Sequence, residues 1–278
     1  MGLDSVLPRY SIDNSDWKLI GKDRVSAIGL GTWAIRRPEA AYQVMLAAIE
    51  SGKVNLIDTA EMYGAGFAEK LVGRVVSSVG RDRVFITTKM LPERLVSEEE
   101  IEKAARASVR RLGVGMVDLF LIHWPNYQLP ISVQVRRFER IIYGRYARYI
   151  GVSNFGPEEL LEAIHATSRA EIVVNQVHYS ILHKRHVEEE LLPIALKYGV
   201  TIQAYTPLER GAVAKHPKLL ELSRKLGKTA IQIALNYLIS RPRVIAIPKT
   251  ENMDHLREIL GALGWRLTED ILEELEKL

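Results

Sequence analysis

Short runs of apolar, β-branched residues alternate with longer segments of helical periodicity along most of the chain. Eight runs have the length and composition of buried strands, and a helical segment follows each of them. The predicted strands are Ala27–Gly31, Val54–Asp58, Val84–Lys89, Val117–His123, Tyr149–Ser153, Ile172–Gln176, Thr201–Tyr205 and Val244–Pro248. Because helical crossovers join parallel strands, this alternation predicts βαβ units, and eight of them predict a closed (β/α)8 TIM barrel of the α/β class.

Two further features extend this barrel pattern. Trp17–Ile20 and Arg24–Ala27 flank a Gly-Lys-Asp turn, which predicts a short N-terminal β-hairpin over the bottom of the barrel. After the seventh strand, an extra segment at Thr206–Pro217 precedes additional helices towards the C-terminus. We therefore expect one barrel domain over residues 17–278, preceded by a poorly structured or lightly packed extension over residues 1–16.

Composition narrows the class of protein. The chain has 278 residues, of which 47% are hydrophobic and 26% charged, as is typical of a globular domain. It has no cysteine, so disulfides and thiolate chemistry are excluded. It has no apolar run long enough for a membrane span and no N-terminal signal of the secretory type. We therefore expect a cytoplasmic protein that has no membrane partner and is a monomer.

The charge balance is slightly basic, with a net charge of +4. The densest basic cluster comprises Arg136, Arg137, Arg140, Arg145 and Arg148. A basic helix face is usually a solvated surface, and an anionic cofactor accounts for a few positive charges. We do not expect nucleic-acid binding, although this segment is also a candidate partner surface.

Polar side chains end three successive predicted strands. Asp58, Lys89 and His123 occupy these ends, and Tyr63 lies in the loop after the first. Taken singly, a helix cap, a snorkelling lysine or a satisfied core histidine would explain each of them. However, the C-terminal ends of barrel strands meet at one rim, where active sites lie. Three ionisable groups there incur a desolvation cost for little structural return, so together they predict a catalytic site.

A series of motifs runs in order from about Ile28 to the C-terminus. The matching segments are Asn55–Gly64 with Ala68–Gly73, Ile86–Lys89, Asp118–Pro125, Arg148–Phe155, Val174–Val177, Ala204–Leu208 and Ile247–Thr250. As a set, these segments resemble the motifs of the aldo-keto reductase superfamily. The resemblance implies an oxidoreductase that transfers hydride between a nicotinamide cofactor and a carbonyl or alcohol group.

The resemblance also implies a catalytic tetrad of Asp58, Tyr63, Lys89 and His123. In this tetrad, Tyr63 donates the proton that the developing alkoxide requires. An unperturbed phenol has a pKa of about 10, and we expect the Lys89 ammonium to lower that value. Asp58 pairs with Lys89, and His123 hydrogen-bonds the substrate oxygen. No metal is expected, because the strand ends lack a His-x-His pair or a second carboxylate.

The cofactor is not expected to bind through a Rossmann motif, since no Gly-x-Gly-x-x-Gly follows the first strand. The resemblance instead implies a dinucleotide laid across the rim. Ser153, Asn154 and Gln176 would bind the nicotinamide carboxamide, and Tyr205 would stack on its ring. The remaining contacts implied for the pyrophosphate and ribose come from Thr206, Leu208, Arg210, Gly211, Gly31, Thr32 and Asp58.

The adenosine end decides between the two nicotinamide cofactors. Lys249 and Thr250 are placed to meet a 2′-phosphate, which favours NADP(H). Glu258 matches an adenine-contacting acid of the family, but His255 stands where many members carry arginine. Loss of a guanidinium removes stacking and bidentate pairing. NAD(H) or dual use is therefore the alternative.

The substrate is expected to be a small aldehyde or ketone. The residues expected to line its pocket are Trp33, Tyr63, Met90, His123 and Trp124. Aromatic walls favour apolar or aryl substituents, although Trp33 has the alternative of packing under the rim. The chain ends shortly after Leu267, so the long C-terminal loop of many family members is not expected. We therefore expect an open pocket and broad specificity.

Two other functions stay open at this point. Some barrels of this family are regulatory subunits that bind nicotinamide and turn over slowly, and such a role usually involves an extension that binds a partner. An unrelated barrel hydrolase is the second alternative, and it predicts no nicotinamide binding. The intact tetrad favours catalysis of hydride transfer.

Overall fold

A computed structural model describes residues 10–278 of the chain. Its largest sheet has eight parallel strands, hydrogen-bonded in sequence order from β3 to β10. These strands are β3 Leu30–Gly31, β4 Leu56–Asp58, β5 Phe85–Met90, β6 Val117–Ile122, β7 Ala147–Ser153, β8 Ile172–His178, β9 Thr201–Tyr205 and β10 Val244–Ala246. A parallel bridge between Ile28 and Ala246 joins the two edges of the sheet. The (β/α)8 fold class is thereby confirmed.

Helices alternate with these strands, as the periodicity predicts. They are α1 Pro38–Glu50, α2 Phe67–Val79, α3 Glu98–Leu112, α4 Ile131–Phe138, α5 Arg140–Tyr143, α6 Pro157–Ala166, α7 Leu192–Tyr198, α8 Pro217–Leu226, α9 Ala230–Ile239, α10 Met253–Leu260 and α11 Glu269–Glu276. In α3, the Ser97 side chain accepts from the Glu100 N–H, and Gly113 ends the helix in the left-handed region. A π-helical turn at Val187–Leu191 precedes α7.

A hairpin closes the N-terminal end of the barrel. Its strands are β1 Trp17–Ile20 and β2 Asp23–Ser26, which pair antiparallel. Ile20 and Val25 belong to the same buried cluster as the inward-facing residues of the barrel strands. Gly21 makes the turn at φ +56°, and a Cβ there would lie 2.4 Å from the Tyr149 ring. The turn therefore needs glycine both for its conformation and for its close approach to β7.

The segment before the hairpin packs against the C-terminal part of the chain. Residues 1–9 of the predicted extension lie outside the described residues. Within residues 10–16, the Asp13 N–H donates to the Ser240 carbonyl at 2.9 Å. The Asp13 carboxylate pairs with Lys18 at 2.6 Å. Arg266 Nε donates to the Asp13 carbonyl at 2.8 Å.

The basic segment at Arg136–Arg148 contributes to packing between helices. Arg137 donates to the carbonyls of Leu95 and Val96 at 3.0 and 2.8 Å. Arg140 pairs with Glu102 on the neighbouring helix α3. Arg148 pairs with Asp118 at 2.5 Å and with Asp23 at 2.8 Å. These arginines are therefore engaged with carbonyl and carboxylate groups of the barrel itself.

Candidate active site

The carboxyl ends of β4 and β5 bring a lysine, a carboxylate and a tyrosine together. Lys89 Nζ donates to Asp58 Oδ2 at 2.7 Å, to the Thr59 carbonyl at 2.8 Å and to Tyr63 Oη at 3.0 Å. Lys89 has no solvent-exposed surface. Because an ammonium has three N–H donors, each one is used. The lysine is thus fixed in place, with one donor directed at the phenol.

Burial and charge act in opposite directions on the protonation of these groups. Burial disfavours the charged form of Lys89, but Asp58 and Tyr63 outweigh it and raise the lysine pKa. Burial also raises the pKa of Tyr63, and the Lys89 charge opposes that rise only in part. Lys89 thus lowers the pKa of Tyr63 as expected, but burial and the Asp58 charge outweigh it, so the net shift is upward. At neutral pH the phenol keeps its proton and is able to donate it.

His123 follows β6 and completes the group. Its ring is edge-on to the Tyr63 ring at a centroid separation of 5.8 Å and tilted against Trp124 at 4.6 Å. Burial, together with the nearby Lys89 charge, lowers the pKa of His123 to about 3. Its buried Nδ1 atom has no hydrogen-bond partner among the described residues. The imidazole is therefore neutral, and its ring lines the cavity described below.

A second set of polar groups lies beside the tetrad on β7, β8 and β9. Gln176 Nε2 donates to Asp58 Oδ1 at 2.7 Å and to Gln203 Oε1 at 2.9 Å. Asn154 has φ +60° and donates through Nδ2 to the His123 carbonyl at 3.0 Å. Tyr205 Oη donates to Asn154 Oδ1 at 2.9 Å. These bonds hold the amide groups in fixed orientations at the rim, where the nicotinamide carboxamide was expected.

A cavity of about 800 Å³ opens above these residues. The site residues predicted from the sequence that line it are Gly31, Trp33, Asp58, Tyr63, His123, Trp124, Ser153, Asn154, Gln176, Tyr205, Thr206, Leu208, Arg210, Gly211, Lys249, Thr250, His255 and Glu258. Lys89 lies beneath the cavity and reaches it through Tyr63. Thr32 is buried below and donates to the Asp58 carbonyl at 2.9 Å. The structure therefore gathers most of the predicted site at one opening.

Met90 is placed differently from the expectation that it lines the pocket. Its side chain is 1% exposed and belongs to the core shared with the helices. Successive side chains of a strand point to opposite faces. Since Lys89 points into the barrel, its neighbour Met90 points away from it.

The loop after β9 forms one side of the cavity mouth. Thr206, Glu209 and Arg210 have φ of +52°, +46° and +51°, a region that side chains other than glycine rarely adopt. The Arg210 guanidinium carbon lies 5.8 Å from the centroid of the Trp33 ring on the opposite side. Trp33 is 54% exposed, so the alternative that it packs under the rim is wrong.

Three functional candidates were missed by the motifs. Gln203 is fully buried in the barrel and accepts a hydrogen bond from Gln176. A polar residue inside the predicted strand Thr201–Tyr205 could have indicated this role. Arg36 lines the cavity from the loop after β3. Glu251 pairs with Lys249, and its position two residues after that lysine was the available signal.

Comparison with known proteins identifies the family of this site. The Aldo/keto reductase family model matches residues 27–278, which is nearly the whole barrel. The chain belongs to the aldo/keto reductase family. Methylglyoxal reductase YeaE of Escherichia coli (strain K12) is 31% identical to it over 92% of each chain. The family assignment confirms the resemblance drawn from the motifs, and with it an NAD(P)H-dependent oxidoreductase.

Solved structures agree with the aldo/keto reductase fold. The thermostable aldo-keto reductase Tm1743 superposes with a TM-score of 0.87 at 36% identity, covering 94% of this chain and 98% of that one. An aldo/keto reductase from Klebsiella pneumoniae, in complex with NADP and acetate, superposes with a TM-score of 0.87 at 29% identity and covers 94% of both chains.

The described residues of this aldo/keto reductase contain neither a cluster of metal-ligating side chains nor a membrane-spanning helix. Over residues 10–278, no three or more histidine, aspartate or glutamate side chains group in a way that could hold a metal ion. Within the same range, no helix has the length and apolar character needed to cross a bilayer.

Proposed function

We propose that the protein reduces aldehydes and ketones with NADPH or NADH, and that Tyr63 is the proton donor. The observation that carries this proposal is the Lys89 ammonium, which is shared between Asp58 at 2.7 Å and Tyr63 at 3.0 Å. A phenol that is protonated at rest and contacts a fixed cation can release its proton as the substrate oxygen gains charge. The cation then stabilises the phenolate that is left.

The residues around the cavity fit a nicotinamide dinucleotide. Ser153, Asn154 and Gln176 supply amide and hydroxyl groups for a carboxamide, and Tyr205 supplies a flat ring. Lys249 and Thr250 lie further along the cavity and suit a phosphate. When bound, the reduced cofactor would supply a hydride, which is two electrons and one proton, to the carbonyl carbon. The named complex of the Klebsiella pneumoniae relative with NADP supports this assignment.

His123 is assigned to the substrate oxygen. The neutral ring lies next to Tyr63, in a T-shaped contact at 5.8 Å, and both side chains line the cavity. A neutral imidazole can hydrogen-bond a carbonyl oxygen and orient it towards the phenol. Burial of the tetrad excludes water, which strengthens each of these interactions.

The substrate class follows from the mouth of the cavity. Trp33 and Met62 line it and are exposed, and Trp124 forms the wall next to His123. Flat apolar walls that offer no polar group to bind the substituent favour aldehydes and ketones with apolar or aryl substituents. Such walls also accept small dicarbonyls. We therefore propose broad carbonyl specificity, with methylglyoxal among the substrates, as the name of the Escherichia coli relative suggests.

The test combines binding and turnover. NADPH and NADH are titrated by fluorescence, and cofactor oxidation is then followed with methylglyoxal and 4-nitrobenzaldehyde. Replacement of Tyr63 by Phe is expected to lower the rate by about 10²–10⁴-fold while binding is retained. Binding without turnover across a carbonyl panel would favour a regulatory subunit. Absence of binding would exclude both functions.

A further inference from the structure

The cationic end of the cavity contains a buried carboxylate. Glu251 accepts hydrogen bonds from the backbone N–H groups of Arg36 and Arg37, at 2.9 Å each. Its carboxylate also pairs with Lys249, the lysine that lines the cavity at this end. Glu251 therefore links the loop after β3 to the segment after β10, and it holds the same lysine that an anion would use.

The charge state of this carboxylate is unambiguous. Burial opposes ionisation of Glu251, but the bonds from Lys249 and from the two N–H groups outweigh it and lower the pKa to about 2. Lys249 also donates to the Ala34 carbonyl at 3.2 Å, and about a third of its side chain is exposed. An anion entering the cavity thus meets a lysine that is accessible but already paired.

We propose that Glu251 sets the cofactor preference of this protein by competing with a 2′-phosphate for Lys249. This inference rests on the proposed function, which places the adenosine end of the cofactor at this lysine. A phosphate monoester carries about −1.5 to −2 charges at neutral pH, so it is attracted by Lys249 and repelled by Glu251. A 2′-hydroxyl meets no such repulsion and can donate to a carboxylate. The pair therefore weakens discrimination and admits NADH alongside NADPH.

Glu251 also holds two loops together, so its replacement has a structural effect in addition to the loss of charge competition. Loss of the Arg36 and Arg37 bonds would loosen the loop after β3, and that loop borders the cavity whichever cofactor is bound. Such loosening changes the affinity for both cofactors in the same direction. The ratio of the two affinities removes this common factor and isolates the charge competition.

The experiment uses two nucleotide probes that differ only at the 2′ position. Binding of 2′,5′-ADP and 5′-ADP to the full-length protein is measured by calorimetry, and NADPH and NADH are titrated in parallel. Glu251→Gln removes the charge with nearly the same shape. Asp254→Asn is the matched control, since it removes the same charge from an exposed position nearby on α10. Lys249→Met removes the partner.

Glu251→Gln is expected to raise the preference for 2′,5′-ADP over 5′-ADP by about tenfold, the effect of one charge a few ångströms away at a partly screened site. Asp254→Asn is expected to change it by less than about twofold, since its exposed charge is screened. Lys249→Met is expected to abolish the preference for 2′,5′-ADP. In the double variant with Glu251→Gln, the rise in preference seen with Glu251→Gln alone is expected to disappear. In the wild type, the preference for 2′,5′-ADP over 5′-ADP is expected to stay below about tenfold. This test of the proposal needs no variant.

An unchanged or reduced preference in Glu251→Gln would overturn the inference, because Glu251 would then position Lys249 for the phosphate. A wild-type preference above about tenfold would also overturn it. Both results leave the proposed function intact as long as NADPH binds. If neither NADPH nor NADH binds the wild type, the proposed function itself fails.

Discussion

Two buried ion pairs in this barrel are built from the same kinds of residue. Asp58 and Lys89 lie at the rim with Tyr63 against them. Glu188 and Arg241 lie away from the cavity, and they too are fully buried beside tyrosines. Both pairs combine a buried carboxylate and a buried cation with phenols that contact them.

The two ion pairs differ in whether their polar groups are all satisfied by neighbouring residues. Glu188 Oε1 accepts from Tyr179 at 2.5 Å, and Oε2 accepts from Tyr237 at 3.1 Å. Arg241 donates to Tyr237 at 2.7 Å and pairs with Glu276 at 2.7 Å. The hydrogen-bonding groups of Glu188 and Arg241 are thus satisfied by their neighbours. The network joins the turn before α7 to α9 and α11. A fully satisfied network of this kind stabilises a fold but presents nothing to a ligand.

The tetrad is instead open on one side. The side chains of Tyr63 and His123 both line the cavity. Burial of charge is therefore not a sign of function by itself. What distinguishes the tetrad is a proton-bearing group that contacts a fixed cation and faces open space.

Among replacements within the two ion pairs, the largest effect is expected when the cation of the Asp58–Lys89 pair is replaced. Lys89→Met removes the charge that stabilises the Tyr63 phenolate, so turnover should fall by about 10²–10³-fold. It also leaves Asp58 buried without a cationic partner, which should cost about 3–5 kcal/mol of folding free energy. Initial rates and urea unfolding measure the two effects. Near-normal turnover would remove Lys89 from the mechanism.

The matching replacement in the other pair should have only one of these effects. Arg241→Met leaves Glu188 buried and unpaired, so the free energy of unfolding should fall by about 3–5 kcal/mol. Turnover per folded molecule should not change, because Arg241 lies outside the residues that line the cavity. The double variant with Glu188→Gln should recover part of the stability, since no buried charge is then left unpaired. A loss of turnover in the folded variant would mean that the two groups are coupled.

A smaller effect concerns pH and sharpens the comparison at the tetrad. Carbonyl reduction needs the protonated phenol, and burial raises the pKa of Tyr63 above its usual value of about 10. His123, with its pKa lowered to about 3, stays neutral over the same range. The reduction rate should therefore be flat between about pH 6 and 9 and fall only at higher pH. Alcohol oxidation, which needs the phenolate, should rise as pH increases. An inflection in the reduction rate near neutral pH would contradict this assignment.

The outline of the fold and of the tetrad could be predicted because both follow local rules. Strands that alternate with helices specify a barrel, and the C-terminal ends of its strands specify a rim. Met90 was wrongly predicted to line the pocket because it follows Lys89 in the sequence. Successive side chains of a strand point to opposite faces, so Met90 points away from the site that Lys89 enters. Gln203 and Glu251 were missed because their roles depend on partners distant in sequence, at Gln176 and at Arg36.

The protonation of Tyr63 also could not be predicted from the sequence. The expectation considered only the charge of Lys89, which lowers a phenol pKa. The structure adds burial, which raises it and dominates. The balance between these two effects depends on how far the barrel excludes water, and that is a property of the folded chain.

The central claim is that the Tyr63 hydroxyl performs chemistry, whereas the Tyr179 hydroxyl, which also contacts a buried ion pair, only stabilises the fold. Tyr63→Phe and Tyr179→Phe each remove one hydroxyl next to a buried ion pair, and both are to be measured for turnover and for urea unfolding. We expect Tyr63→Phe to lose about 10²–10⁴-fold in turnover with little loss of stability. We expect Tyr179→Phe to lose about 1.5–3 kcal/mol of stability with normal turnover. Comparable turnover in the two variants would contradict the account.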